Sequence, residues 1–111
     1  YSDVLLMFAE AKAHGAIAGN SSGFDALAAI NKVRDRVKLL PLGAVTLQDI
    51  WDERRAELAL EEDRFFDLVR TGQAATALAG KGFNAAKHNL FPIPSQQMQL
   101  NTHLTQNPNY N

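Results

Sequence analysis

Cysteine is absent from the 111 residues, which removes disulfides, thiolate metal sites and cysteine nucleophiles and leaves the redox compartment open. No apolar run approaches the roughly 20 residues that would span a bilayer, and no basic stretch followed by an apolar one marks a secretory leader. Any membrane address therefore has to come from outside this segment. An excess of charge of one sign is also missing. Eleven basic and 12 acidic side chains give a formal charge of -1, so no long-range field favours nucleic acid or an anionic surface. His14, His88 and His103 are far apart and supply neither HxxxH nor ExxH, the spacings that set metal ligands on one helix face. No metal and no cofactor is expected, and surface or capping roles suit the three histidines. Gly80-Lys81-Gly82 lacks the further glycines and the strand context of a phosphate loop and reads as a hinge.

What is present is a 46% hydrophobic chain of a length suited to one core, patterned for helix. Tyr1 stands where an initiator Met would be and Ser2 can already cap a helix, so the segment reads as the end of a longer chain. A first helix is expected over about 2–18. It carries Val4, Leu5, Leu6, Met7, Phe8, Ala11 and Ile17, with Asp3, Glu10 and His14 in a narrow polar stripe. Gly19-Asn20-Ser21-Ser22-Gly23 supplies turn chemistry. A second helix over about 23–37 repeats Leu27, Ile30, Val33 and Val37 at three- and four-residue steps, and the two form a hairpin of tetratricopeptide size.

Thr46 with Asp49 three residues on resembles a capping box, and no Gly or Pro interrupts the pattern until Thr71-Gly72. A long third helix is accordingly expected over 47–70. On it Leu47, Ile50, Trp51, Leu58, Phe65, Leu68 and Val69 form one stripe, with Arg54 and Glu61 near its centre and Glu57 and Arg64 beside it. Charges on a buried stripe need partners, so Arg54, Glu57, Glu61 and Arg64 are expected to form an ionic network at a helix seam, fixing packing rather than adding stability. Glu57 and Glu61 could be taken for a glycosidase carboxylate pair, but the flanking arginines would hold both ionised, so no catalytic residue is expected. Short helices are expected over about 73–79 and 95–99, separated by the extended Phe91-Pro92-Ile93-Pro94 and followed by an irregular tail over 100–111.

These segments resemble the SusD/RagB family of outer-membrane nutrient-binding lipoproteins. Tyr1-Ser2-Asp3-Val4-Leu5-Leu6-Met7-Phe8-Ala9-Glu10-Ala11 and Ala29-Ile30-Asn31-Lys32-Val33-Arg34 are similar to two of its helices. Glu53-Arg54-Arg55-x-Glu57-Leu58-x-x-Glu61-x-x-Arg64-Phe65-Phe66-Asp67-Leu68-x-Arg70 resembles its hallmark string. Phe91-Pro92-Ile93-Pro94 and Leu104-Thr105-Gln106-Asn107-Pro108-x-Tyr110 are similar to its closing motifs. Gln97, Thr102, Val69 and Asn109 depart from the pattern, standing where an acid, a proline, a basic residue and a glycine are usual.

The resemblance implies an all-α piece of a larger helical fold and a cell-surface protein that binds glycans or other nutrients. It implies delivery to a TonB-dependent, SusC-like outer-membrane transporter, and a lipid anchor on an amino-terminal Cys outside this segment. It places the ligand mainly outside these residues, so no ligand-binding residue is assigned, and it implies no enzyme activity. A stand-alone helical adaptor, holding a peptide or partner protein on the first hairpin, is the competing reading.

Overall fold

The structure, a computed structural model, describes residues 1–17 and 23–110. The turn read at residues 19–23 therefore lies outside the described residues except for Gly23, as do the last residue of the first expected helix and the end of the tail. Among the described residues seven helices run in order: α1 Ser2–Ala13, α2 Ala26–Arg36, α3 Leu47–Glu57, α4 Arg64–Arg70, α5 Ala74–Ala77, α6 Ala85–His88 and α7 Ser95–Leu100. The described residues contain no strand, which makes the segment all-α, and no helix long and apolar enough to cross a membrane. Two compact units divide the chain, Tyr1–Arg64 and Phe65–Asn111.

In the first unit, α1 packs on both α2 and α3. Leu6, Ile30, Val33 and Ile50 are fully buried with Ala9 and Ala29, whose small side chains leave room for close approach of α1 and α2. Burying each of the larger side chains contributes roughly 1.5–3 kcal/mol. Helix α1 ends at Ala13, four to five residues before the expected limit. Ala16 N–H donates to the Ala11 carbonyl and Gly15 N–H to that of Lys12, both at 3.0 Å, with Gly15 at φ +88°. That is a Schellman closure, and Gly15, which lacks a Cβ to resist the left-handed turn, is the signal for it. Asp25 caps α2 by accepting the Ala28 N–H at 2.8 Å, and Thr46 and Asp49 form the reciprocal capping box expected at α3.

The long third helix is not continuous. It closes at Glu57 and resumes at Arg64, with Leu60 at φ +72° and Glu62 at φ +66° between. The break takes Glu61, Glu62 and Asp63 out of a helix interior and sets them ahead of the amino end of α4, where negative charge is favoured by the helix dipole. It also lets Ile50 join the core of the first unit while Leu68 and Ala74 are buried in the second. In that second unit α6, Ala85–His88, was not foreseen, and α5 and α7 lie where short helices are expected.

Candidate functional site

Two constellations of side chains stand out, one in each unit. In the first, α3 is tied by polar contacts to both of its neighbours. Arg54, only 7% exposed, donates from Nη1 to Asp3 Oδ1 on α1 at 2.6 Å. Trp51 Nε1 donates to Glu10 Oε1, also on α1, at 3.1 Å, and Glu10 is likewise 7% exposed. Toward α2, Arg34 Nη1 meets Glu53 Oε2 at 2.7 Å while its Nε donates to the Leu40 carbonyl at 2.9 Å. Arg36 Nη2 meets both oxygens of Glu57, at 2.7 and 2.8 Å. A hydrogen bond from the Ser2 side chain, followed by the Arg36 contact, holds the Glu57 carboxyl below its ordinary value of 4.5 against the opposing effect of partial burial.

The four charges singled out on the expected long helix are thus not gathered into one network. Arg54 and Glu57 lie on α3, Arg54 paired with Asp3 on α1 and Glu57 held by Ser2 on α1 and Arg36 on α2. Glu61 stands exposed in the turn after α3, and Arg64 opens α4. Their expected register along one face ends where the helix ends. The partners that sequence reasoning missed are Asp3, Arg34, Arg36 and Glu53. Asp3 falls in the polar stripe of the first helix, and a helical wheel shows which face a charge occupies but not which neighbour meets it.

The second constellation is an aromatic cleft of about 320 Å³ lined by residues of the second unit, Phe65, Leu78, Lys81, Gly82, Phe83, His88, Phe91 and Tyr110. Phe65 is its hub, with ring centroids 6.2 Å from Phe83 and 5.9 Å from Phe91, both in tilted or edge-on geometry favoured by ring quadrupoles. His88 lies 5.7 Å from Phe83, and its Nδ1 accepts the Asn84 N–H at 2.8 Å, a local capping bond at α6.

The tail motif is tied to the stretch that carries Phe91. Gln106 Oε1 accepts the Ile93 N–H and its Nε2 donates back to the Ile93 carbonyl, at 2.8 and 2.9 Å. Asn107 Nδ2 donates to the Phe91 carbonyl at 2.7 Å, Asn109 Nδ2 to that of Ala86 at 2.8 Å, and the Tyr110 hydroxyl to that of Leu90 at 2.9 Å. The prolines at 92 and 94 keep that stretch extended and leave the Ile93 amide needing a partner, which Gln106 provides. Asn109, at the position where glycine is usual in the resembled motif, adopts φ +64°, a conformation asparagine tolerates better than most residues. The two ends of this clamp were legible as motifs in the sequence; that they meet was not. Among the described residues no group of acids and histidines is arranged to hold a metal ion.

Comparison with known proteins gives a consistent answer. A model of the SusD family matches residues 1–110. A SusD-like protein P2 of Formosa agariphila is 31% identical over 129 aligned residues, covering 99% of this chain and 25% of its own length. A SusD-like protein of Bacteroides ovatus is 37% identical over 70 residues, 61% of this chain and 12% of that protein. Among solved structures, a laminarin-binding SusD-like protein superposes with a TM-score of 0.83 at 45% identity, covering 98% of this chain and 22% of its own. The chain spans about a quarter or less of the length of the relatives it matches. With the match running over nearly every residue and the helices superposing, this chain belongs to the SusD family.

Proposed function

We propose that this chain is the helical scaffold of a cell-surface glycan-binding protein that hands its ligand to a TonB-dependent, SusC-like transporter of the outer membrane. A lipid on an amino-terminal Cys outside these residues would tether it there. The observation that carries the reading is the 45% identity, over 98% of the chain, to a structure whose name records laminarin binding. Family members of this kind bind rather than transform their ligands. The side chains here suit that role, because Arg54 and Glu57 are committed to helix seams rather than to a shared reaction centre.

In this reading Arg54 with Asp3, Arg36 with Glu57, and Arg34 with Glu53 are architectural: they set the register of α3 against α1 and α2. Buried and half-buried pairs specify geometry more than they stabilise it, since desolvation offsets most of the Coulomb gain. The bulk of the ligand contact comes from residues outside this chain.

The test is a glycan array and an affinity pull-down with the full protein as encoded. Laminarin or another glycan should be retained and a TonB-dependent transporter should co-purify from membranes. Failure on both counts would reject the assignment.

A further inference from the structure

The aromatic cleft of the second unit is left unused by a purely architectural role. Its walls are flat and apolar, from Phe65, Phe83, Phe91 and the Tyr110 ring. Its polar side chains are those of Lys81, His88 and Tyr110. Lys81 brings an ammonium group. Because His88 Nδ1 accepts the Asn84 N–H, the ring proton sits on Nε2, which makes that nitrogen a donor. The Tyr110 hydroxyl gives its proton to the Leu90 carbonyl and keeps only acceptor capacity.

No carboxylate or amide side chain is among the lining residues. Residues 65–111 contain Arg70, Lys81 and Lys87 against the single acid Asp67, and Asp67 is held by Arg70 at 2.8 Å. Lys87 Nζ lies 4.8 Å from the Tyr110 ring centroid and adds positive charge beside the cleft. Lys81 itself is positioned by the backbone: Gly80 and Gly82 on either side adopt φ +73° and +77°, a conformation that side chains resist. The Gly80-Lys81-Gly82 segment, read from the sequence as a hinge, is here a turn that sets Lys81 in the lining of the aromatic cleft.

A neutral sugar offers hydroxyls that both donate and accept, and among the lining side chains the Tyr110 oxygen alone remains to accept from them. A ring with an apolar face and a carboxylate matches every group present. We propose that this cleft binds a carboxylated sugar ring, a uronic acid unit of an acidic glycan. Its C–H face would rest on the aromatic walls and its carboxylate would accept from Lys81 and His88 Nε2. At about 320 Å³ the cleft is at the small end of ligand pockets and admits one ring rather than an oligosaccharide. The proposal rests on the glycan-binding reading and adds to it a charge preference and named residues.

Calorimetric titration of the full protein with tetragalacturonate, and with the neutral laminaritetraose as comparison, tests it. The acidic tetramer should bind, and its affinity should fall as salt is raised. Lys81→Gln should weaken it about tenfold, the scale of losing one charged hydrogen bond, and Lys81→Arg should restore it. Phe83→Ala should weaken it as well, while Lys32→Gln, on α2, should leave it unchanged. Should Phe83→Ala fail to fold, the Lys81 pair of variants decides alone. Undiminished binding of the acidic tetramer in Lys81→Gln would overturn the proposal. So would glycan binding confined to neutral sugars, which would leave the glycan-binding reading intact. Absence of binding to any glycan would instead remove that broader reading, and this one with it.

Discussion

Replacing Glu62 by glycine tests the break between α3 and α4, because the two possible conformations give opposite signs. With Glu62 at φ +66°, an L-residue pays about 1–2 kcal/mol for left-handed backbone. Glycine escapes that cost but gains conformational freedom in the unfolded chain worth about 0.4–1 kcal/mol. Glu62→Gly should therefore stabilise the fold by about 0.5–1 kcal/mol. For a domain of this size that raises Tm by about 2–8 °C. If residues 47–70 were one helix, glycine in its interior would cost about 1 kcal/mol and lower Tm by about 4–8 °C. Leu60→Gly is a parallel case, since Leu60 is fully exposed at φ +72° and loses no packing when truncated. Thermal melts followed by far-ultraviolet circular dichroism suffice. A fall in Tm for both variants would show that the helix is continuous and would remove the argument that the three acids at 61–63 sit ahead of α4.

Arg54→Met should destabilise the protein by about 3 kcal/mol in urea unfolding, the low end for a broken buried pair because Asp3 keeps 46% of its side chain in solvent; adding Asp3→Leu should recover part of the loss. Glu57 has a folded pKa below 4.5, so its ionised form favours folding above that pH and the contribution disappears as pH falls through the lower folded value. Glu57→Gln should thus flatten the decline of the urea midpoint below pH 4.5, and an unchanged acid limb would count against the Ser2 and Arg36 contacts. Gln106→Ala should speed hydrogen exchange at the Ile93 amide and cost about 1–3 kcal/mol, the penalty for stranding half-buried polar groups. Exchange at Ile93 unaltered by that change would mean the tail does not clamp the extended stretch.

Helix identity was legible where local chemistry announces itself. Thr46 and Asp49 mark the start of α3, and Leu27, Ile30 and Val33 mark the inner face of α2, because caps and periodicity are properties of neighbouring residues. The end of α1 was missed, because the apolar run through Ile17 argued for more helix than Gly15 allows; Ile17 proves to be 95% exposed. The break at 58–63 was not legible, since Leu60 and Glu62 carry no propensity for the conformation they adopt and only the separate burial of Ile50 and Leu68 accounts for it. The aromatic cleft escaped for a different reason. Phe65, Phe83 and Phe91 are spread over 27 positions of sequence, and nothing in their spacing shows that three extended or short-helical segments converge.

The charges of α3 restrict how that helix can sit against its neighbours. Leu5, Ala9, Ala29 and Ile50 are small or smooth enough that apolar contact alone would tolerate sliding of one helix along another. Three ion pairs at different heights remove that freedom, because Arg54 must meet Asp3 on α1 while Glu53 and Glu57 meet Arg34 and Arg36 on α2. A shift of one turn, about 5.4 Å, would break all three at once and leave Arg54 buried without Asp3. The pairs thus contribute little to the depth of the native state and much to its separation from misaligned alternatives. That is the property the proposed scaffold role requires.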